Sequence, residues 1–190
     1  MTPGRRRLVY PQGLAVKFRQ NGREAPGWQT KPGDLDDRDI HFVEALLLEL
    51  PRHMKVHERH IYATGMSNGA LFTYELFALR PDTFAAFAPV AGAAGFVRNY
   101  YTPKPMLIIQ GSGDTLVKPE WAATTRDIIR RINRCGDRTV EWAPGYLSYQ
   151  PCESKMPVIW HLHDGGHIWP ADATTHIVKF FKEQQLPEKR

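Results

Sequence analysis

Cysteine is almost missing from this chain: Cys135 and Cys152 are the only two among 190 residues. That excludes a disulfide scaffold, and without a Cys-x-x-Cys pair there is no thiolate zinc or redox motif. Long apolar runs are missing too. Nothing approaches the roughly 18 consecutive apolar residues of a membrane helix. Positive charge is in modest excess, 25 Lys and Arg against 20 Asp and Glu, but it is scattered. Its main cluster, Arg5-Arg6-Arg7, stands at the terminus with no recognisable nucleic-acid motif, so nucleic acid is not the expected partner. The opening MTPGRRRLVYPQG has charge but no following apolar segment, and does not read as a secretory signal. Internal repeats and low-complexity segments are absent as well.

What is there is ordinary globular material, 42% hydrophobic and 24% charged. A chain of this length buries a substantial core as one domain, here taken as 1–190, without staples. The two cysteines either bridge a hairpin-like excursion or lie as free buried thiols, and their spacing leaves both open.

Strand-like and helix-like segments alternate. Leu8-Val9-Tyr10 reads as a short strand ended by Pro11, and residues 11–34 read as loop. An Asp-rich start opens a helix over 36–50, with Pro51 expected to end it. A strand over 60–65, a helix over 68–79 and an apolar run over 84–90 follow. Met106 to Gln110, MLIIQ, is the strongest strand pattern in the chain. A helix from Pro119 to about Asn133 starts with proline at its favoured first turn. Strands over 139–142 and 158–162 and a helix over 173–183 complete the series. This alternation predicts an α/β fold with a mainly parallel sheet.

Function in such a sheet gathers at the carboxyl ends of the strands. Ser67 follows the 60–65 strand, Asp114 the 106–110 strand, and His167 the 158–162 strand. Nucleophile, acid and base therefore occur in the chain order of the α/β-hydrolase triad. A serine hydroxyl attacks well only when an imidazole takes its proton, and the imidazole needs a carboxylate to hold its tautomer. Gly65-Met66-Ser67-Asn68-Gly69 fits a tight strand-to-helix elbow, with the Asn68 N–H aimed at a developing oxyanion. The motif alone is weak, because serine is also among the best helix caps and aspartate after glycine is common in turns.

Among eight histidines, His53, His57 and His60 lie in a charged connection, and His176 is a weaker candidate base. His161 and His163 alternate along a strand like a metal pair, but no third ligand accompanies them, so no metal or cofactor is expected.

Four blocks in order, YATGMSNGALF, PDTFAAFAPVAG, IIQGSGDTLVKP and GGHIWP, resemble the polyhydroxybutyrate-depolymerase and feruloyl-esterase-like group of α/β-hydrolases. The resemblance runs from about Val9 to Phe181. It implies a three-layer α/β-hydrolase sandwich and a serine ester hydrolase, often exported. Ser67 would be nucleophile, Asp114 acid and His167 base. Tyr10-Pro11-Gln12-Gly13 and Asp36-Asp37 also look like family features. The group often pairs cysteines resembling Cys135 and Cys152. Trp169, beside the base, and Trp28, in the early loop, are expected either to line the substrate pocket or to pack in the core.

The resemblance also implies a strand upstream of Tyr10-Pro11-Gln12-Gly13, ending in a loop that supplies a second oxyanion donor. Nothing of that kind precedes Leu8. The expectation is an N-terminally truncated start; the alternative is that the Leu8–Tyr10 strand slides inward to pair with the nucleophile strand. Two rival functions remain: an acyltransferase with the same triad, and a degenerate fold without catalysis.

Overall fold

The computed structural model describes residues 7–18, 22–100 and 102–188; Arg5 and Arg6 of the basic cluster lie outside them. The chain first forms a small antiparallel hairpin, β1 (Leu14–Lys17) and β2 (Glu24–Gly27), with Leu14 opposite Gly27. A 3-10 turn over Asp34–Asp37 leads into α1 (Arg38–His53). Then come β3 (Tyr62–Met66), α2 (Asn68–Leu79), β4 (Ala86–Val90), β5 (Met106–Gly111) and α3 (Pro119–Ile132). The hairpin β6 (Cys135–Ala143) and β7 (Tyr146–Cys152), strand β8 (Val158–His163) and α4 (Ala173–Lys182) close the series.

The main sheet has the order β3-β4-β5-β8-β7-β6. The first four strands run parallel, and the β6–β7 hairpin joins antiparallel through β8. Alternate residues of each buried strand feed opposite faces, as a period of two requires. Phe87, Met106, Ile108, Val158 and Trp160 meet α1, α2 and α3 on one face. Ala86, Val90, Leu107, Ile109 and Ile159 meet α4 on the other. The result is a three-layer α/β sandwich. No helix among the described residues is long and apolar enough to cross a membrane.

Four expectations need correction. Leu8-Val9-Tyr10 is not a strand and pairs with nothing in the sheet. Leu8 and Tyr10 are 72% and 84% exposed, so no core rewards ordering them. The strand therefore does not slide inward, and β3 is an edge of the six-stranded sheet among the described residues. Residues 11–34 are not all loop, because the β1–β2 hairpin lies within them. Pro51 lies within the last turn of α1 rather than ending it, and the helix closes where Met54 N–H donates to Leu50 C=O at 3.0 Å. One proline removes one N–H bond, which a terminal turn tolerates better than a helix interior. The 139–142 strand is longer and belongs to a hairpin whose second strand sequence reading missed. Cys135 and Cys152 face each other across that hairpin and are joined by a disulfide.

Candidate active site

Ser67 occupies the turn between β3 and α2 with φ 55° and ψ −116°. A non-glycine residue holds such a conformation only where its surroundings impose it. Here the Ser67 N–H donates to Val90 C=O at 3.0 Å, tying the turn to β4. The N–H groups of Ala70 and Leu71 donate to the Ser67 carbonyl at 2.9 and 3.1 Å, tying it to α2. Strand and helix pass so closely that a Cβ on Gly65 would run into the Gly69 carbonyl. Ser67 stands at the N-cap position of α2, yet its hydroxyl makes no capping bond. Asn68 is the first residue of α2, where a backbone N–H has no acceptor within the helix.

Asp114 lies beyond β5, its side chain fully buried, and His167 beyond β8. The His167 Nδ1–H donates to Asp114 Oδ2 at 2.8 Å. The Leu116 and Val117 N–H groups donate to Asp114 Oδ1, both at 2.9 Å, and Gln110 Nε2 donates to Oδ2 at 3.0 Å. Burial pushes the Asp114 carboxyl up. The donors from Val117, His167, Leu116 and Gln110 together outweigh it and hold the group below its ordinary value. A carboxylate so satisfied stays ionised, and by accepting the Nδ1–H it selects the tautomer whose neutral ring carries its lone pair on Nε2.

The structure thus joins Asp114 and His167, the expected acid and base, directly. It puts Ser67 on the same rim, since β3, β5 and β8 run parallel and all three residues follow their carboxyl ends. No hydrogen bond links the Ser67 hydroxyl to His167 among the described residues. Such contacts often tighten only when substrate is bound.

Ser67 lines an open groove of about 510 Å³ together with Gln12, Gly13, Gly27 and Trp28; Asp114, His167 and Trp169 do not line it. The Trp28 ring stacks on Phe72 at 5.0 Å and Phe42 at 6.3 Å, so it is both core and groove wall. The Trp169 indole N–H donates to Thr174 Oγ1 at 3.0 Å, and its ring packs against the cluster beneath α4.

Sequence reading named Asn68 only for its backbone N–H and Asp37 only as a family feature, and it missed the side-chain contacts that hold the groove wall. The Asn68 side chain clamps the Trp28 backbone from both sides, accepting its N–H at 2.7 Å and donating to its carbonyl at 2.9 Å. Gln29 Nε2 donates to Asp37 Oδ1 and Glu75 Oε2, both at 2.8 Å, while the Gln29 N–H donates to Asp39 Oδ2 at 2.7 Å. The Asp37 carboxyl is held below its ordinary value, chiefly by the Gly33 N–H and the Gln29 amide. Asp36 also adopts a left-handed backbone, with φ 55°. The one available signal for the clamp was polar residues, such as Glu75, inside an otherwise apolar helix.

The chain matches no known protein-family profile. It is 28% identical to NocK of Nocardia uniformis subsp. tsuyamanensis, named as an esterase, over 83% of this chain and 57% of that protein. It is 24% identical to feruloyl esterase D of Neurospora crassa, over 74% of this chain and 50% of that protein. The chain therefore spans about half the length of these relatives. Among solved structures, Arabidopsis thaliana SOBER1 superposes with a TM-score of 0.65 at 15% identity, over 92% of this chain and 83% of the other. Acetyl xylan esterase from Aspergillus awamori gives 0.60 at 18% identity, over 80% of this chain and 69% of the other. These likenesses show the fold: it is that of the α/β-hydrolases.

Proposed function

We propose that the protein is a serine carboxylic-ester hydrolase working through an acyl-enzyme. The observation that carries this reading is the Asp114–His167 hydrogen bond at 2.8 Å on the rim where Ser67 sits in a strained elbow. Ser67 Oγ attacks the ester carbonyl carbon while His167 Nε2 takes its proton. Asp114 holds the ring and stabilises the imidazolium. The Asn68 N–H binds the oxyanion of the tetrahedral intermediate. Collapse expels the alcohol, which takes the proton from His167. Water, activated by the same nitrogen, attacks the acyl-enzyme, and the acid leaves as Ser67 recovers its proton.

The relatives named as feruloyl and other esterases support an ester substrate. Feruloyl or acetyl esters fit that company, and the sequence blocks add hydroxyalkanoate esters of the polyhydroxybutyrate kind. Trp28 would form part of the acyl or alcohol site, since it lines the Ser67 groove; Trp169, outside that groove, is a second proposed substrate contact. The Cys135–Cys152 bridge favours an oxidising compartment, so the proposed location is extracellular or periplasmic.

Labelling with a fluorophosphonate probe tests the mechanism, with hydrolysis of p-nitrophenyl acetate and methyl ferulate alongside. Wild type should label and turn over, and Ser67→Ala should do neither. A wild type that labels no faster than Ser67→Ala would sink the proposal. Acyl transfer to an added alcohol in preference to water would replace hydrolase with acyltransferase.

A further inference from the structure

His163, the last residue of β8, takes no part in the proposed chemistry, yet it is built into the turn that carries His167. The chain turns sharply through Asp164, Gly165 and Gly166. Its backbone is stitched to the loop beyond β5, where Ser112 N–H donates to His163 C=O at 2.8 Å and Gly113 N–H to Gly165 C=O at 3.0 Å. A Cβ on Gly111 would strike the carbonyls of Gly165 and Gly166, so the two loops lie in direct contact. The His163 ring closes the turn from within. The Gly165 N–H donates to His163 Nδ1 at 3.1 Å, and a Cβ on Gly165 would lie only 2.9 Å from the same nitrogen.

That bond dictates the state of the ring. An Nδ1 that accepts an N–H carries a lone pair, so the neutral ring bears its proton on Nε2. The Nε2 atom is buried and has no partner among the described residues. A second proton on Nδ1 would set one N–H against another and break the turn. Burial lowers the tendency of His163 to take that proton, and His161, stacked 5.9 Å away on the same strand, lowers it further. Asp172 before α4, Asp164 in the turn and Asp114 beyond β5 pull the other way without reversing the result.

We propose that His163 is a positioning residue: its neutral Nδ1 holds the Gly165 N–H and so fixes the turn that presents His167 to Asp114. The inference rests on the reading of Asp114 and His167 as acid and base. His163 touches neither substrate nor reacting atoms in this scheme and acts only through His167.

The experiment compares His163→Asn, whose amide oxygen keeps an acceptor near Nδ1, with His163→Leu, which has none. Both are measured in the full chain for fluorophosphonate labelling rate, ester kcat and KM, and Tm. The Asn variant should label near the wild-type rate. The Leu variant should lose about 10-fold or more in labelling rate and kcat, with KM little changed, since small displacements of a catalytic group are costly. Equal rates in all three proteins, or an equal loss in both variants, would overturn the role. Nitrogen-15 NMR of the histidine rings gives a second readout that needs no activity. His163 should show a protonated Nε2 and a bare Nδ1 at neutral pH, and the reverse tautomer overturns the inference. A wild type that fails to label refutes the triad reading instead, and the tautomer then decides on the His163 bond alone.

Discussion

Asp114 and His167 are 53 residues apart in the chain and 2.8 Å apart in space. The pairing of β5 with β8, in which Gly111 stands opposite His163, brings their two loops together. Asp114→Asn should keep the acceptor for Leu116 and Val117 but lose the charge that orients His167. The expected loss in kcat is about 10³- to 10⁴-fold, with Tm changed little. Steady-state ester hydrolysis beside a thermal melt checks it, and an active Asp114→Asn enzyme would exclude Asp114 as the acid.

The Asn68 side chain and its backbone N–H have separable duties. Asn68→Ala keeps the N–H proposed for the oxyanion but leaves both polar groups of Trp28 without their side-chain partners. A stability loss of about 1–3 kcal/mol is expected. Turnover should fall far less than in Ser67→Ala. Denaturant unfolding and labelling, run on the same preparations, distinguish the two effects.

Glu75 makes stability fall with pH. Burial pushes its carboxyl up to about 8 against the pull of the Gln29 amide, and Asp34, Asp37 and Asp39 add to the push. Between its ordinary value of 4.5 and about 8, the folded chain holds a proton that the unfolded chain has released. The stabilisation is complete below that window and is lost as pH rises through it. Glu75→Gln, which cannot ionise, should match wild type near pH 4 and exceed it near pH 9 by on the order of 5 kcal/mol. Parallel curves for the two proteins across that range would show that Glu75 ionises normally.

The Cys135–Cys152 bridge closes a loop at the hairpin on the sheet edge opposite β3. Replacing both cysteines by serine should cost about 3 kcal/mol on the chain-entropy account. The labelling rate at Ser67 should be unchanged below the new melting temperature. A loss of labelling without loss of stability would tie the hairpin to the site instead.

The local readings that succeeded are those where one segment carries its own signal. Helix 68–79 was legible in full, because Ser67 precedes it and Arg80-Pro81 stops it. MLIIQ was legible because an apolar run of β-formers between Pro105 and Gly111 has no better alternative. The elbow, the three strand-end residues and the α/β class could all be read from order along the chain. The β1–β2 hairpin was not legible, since Glu24–Gly27 contains Pro26 and lacks alternation. β7 was hidden for a similar reason: its buried positions include Ser148 beside Tyr146 and Tyr149, so its pattern is only half apolar.

By itself the sequence determined where α2 starts and stops, which residue types follow which strands, and hence the candidates Ser67, Asp114 and His167. Only the tertiary structure decided which of them touch, and what holds them. Gln29, Gln110, Asn68 and His163 gain their roles from partners on other elements or across a turn. Hydrogen bonds between such groups depend on register and close approach, which residue order along one chain does not encode. Periodicity reports which face of an element is buried; it carries no record of the neighbour that buries it.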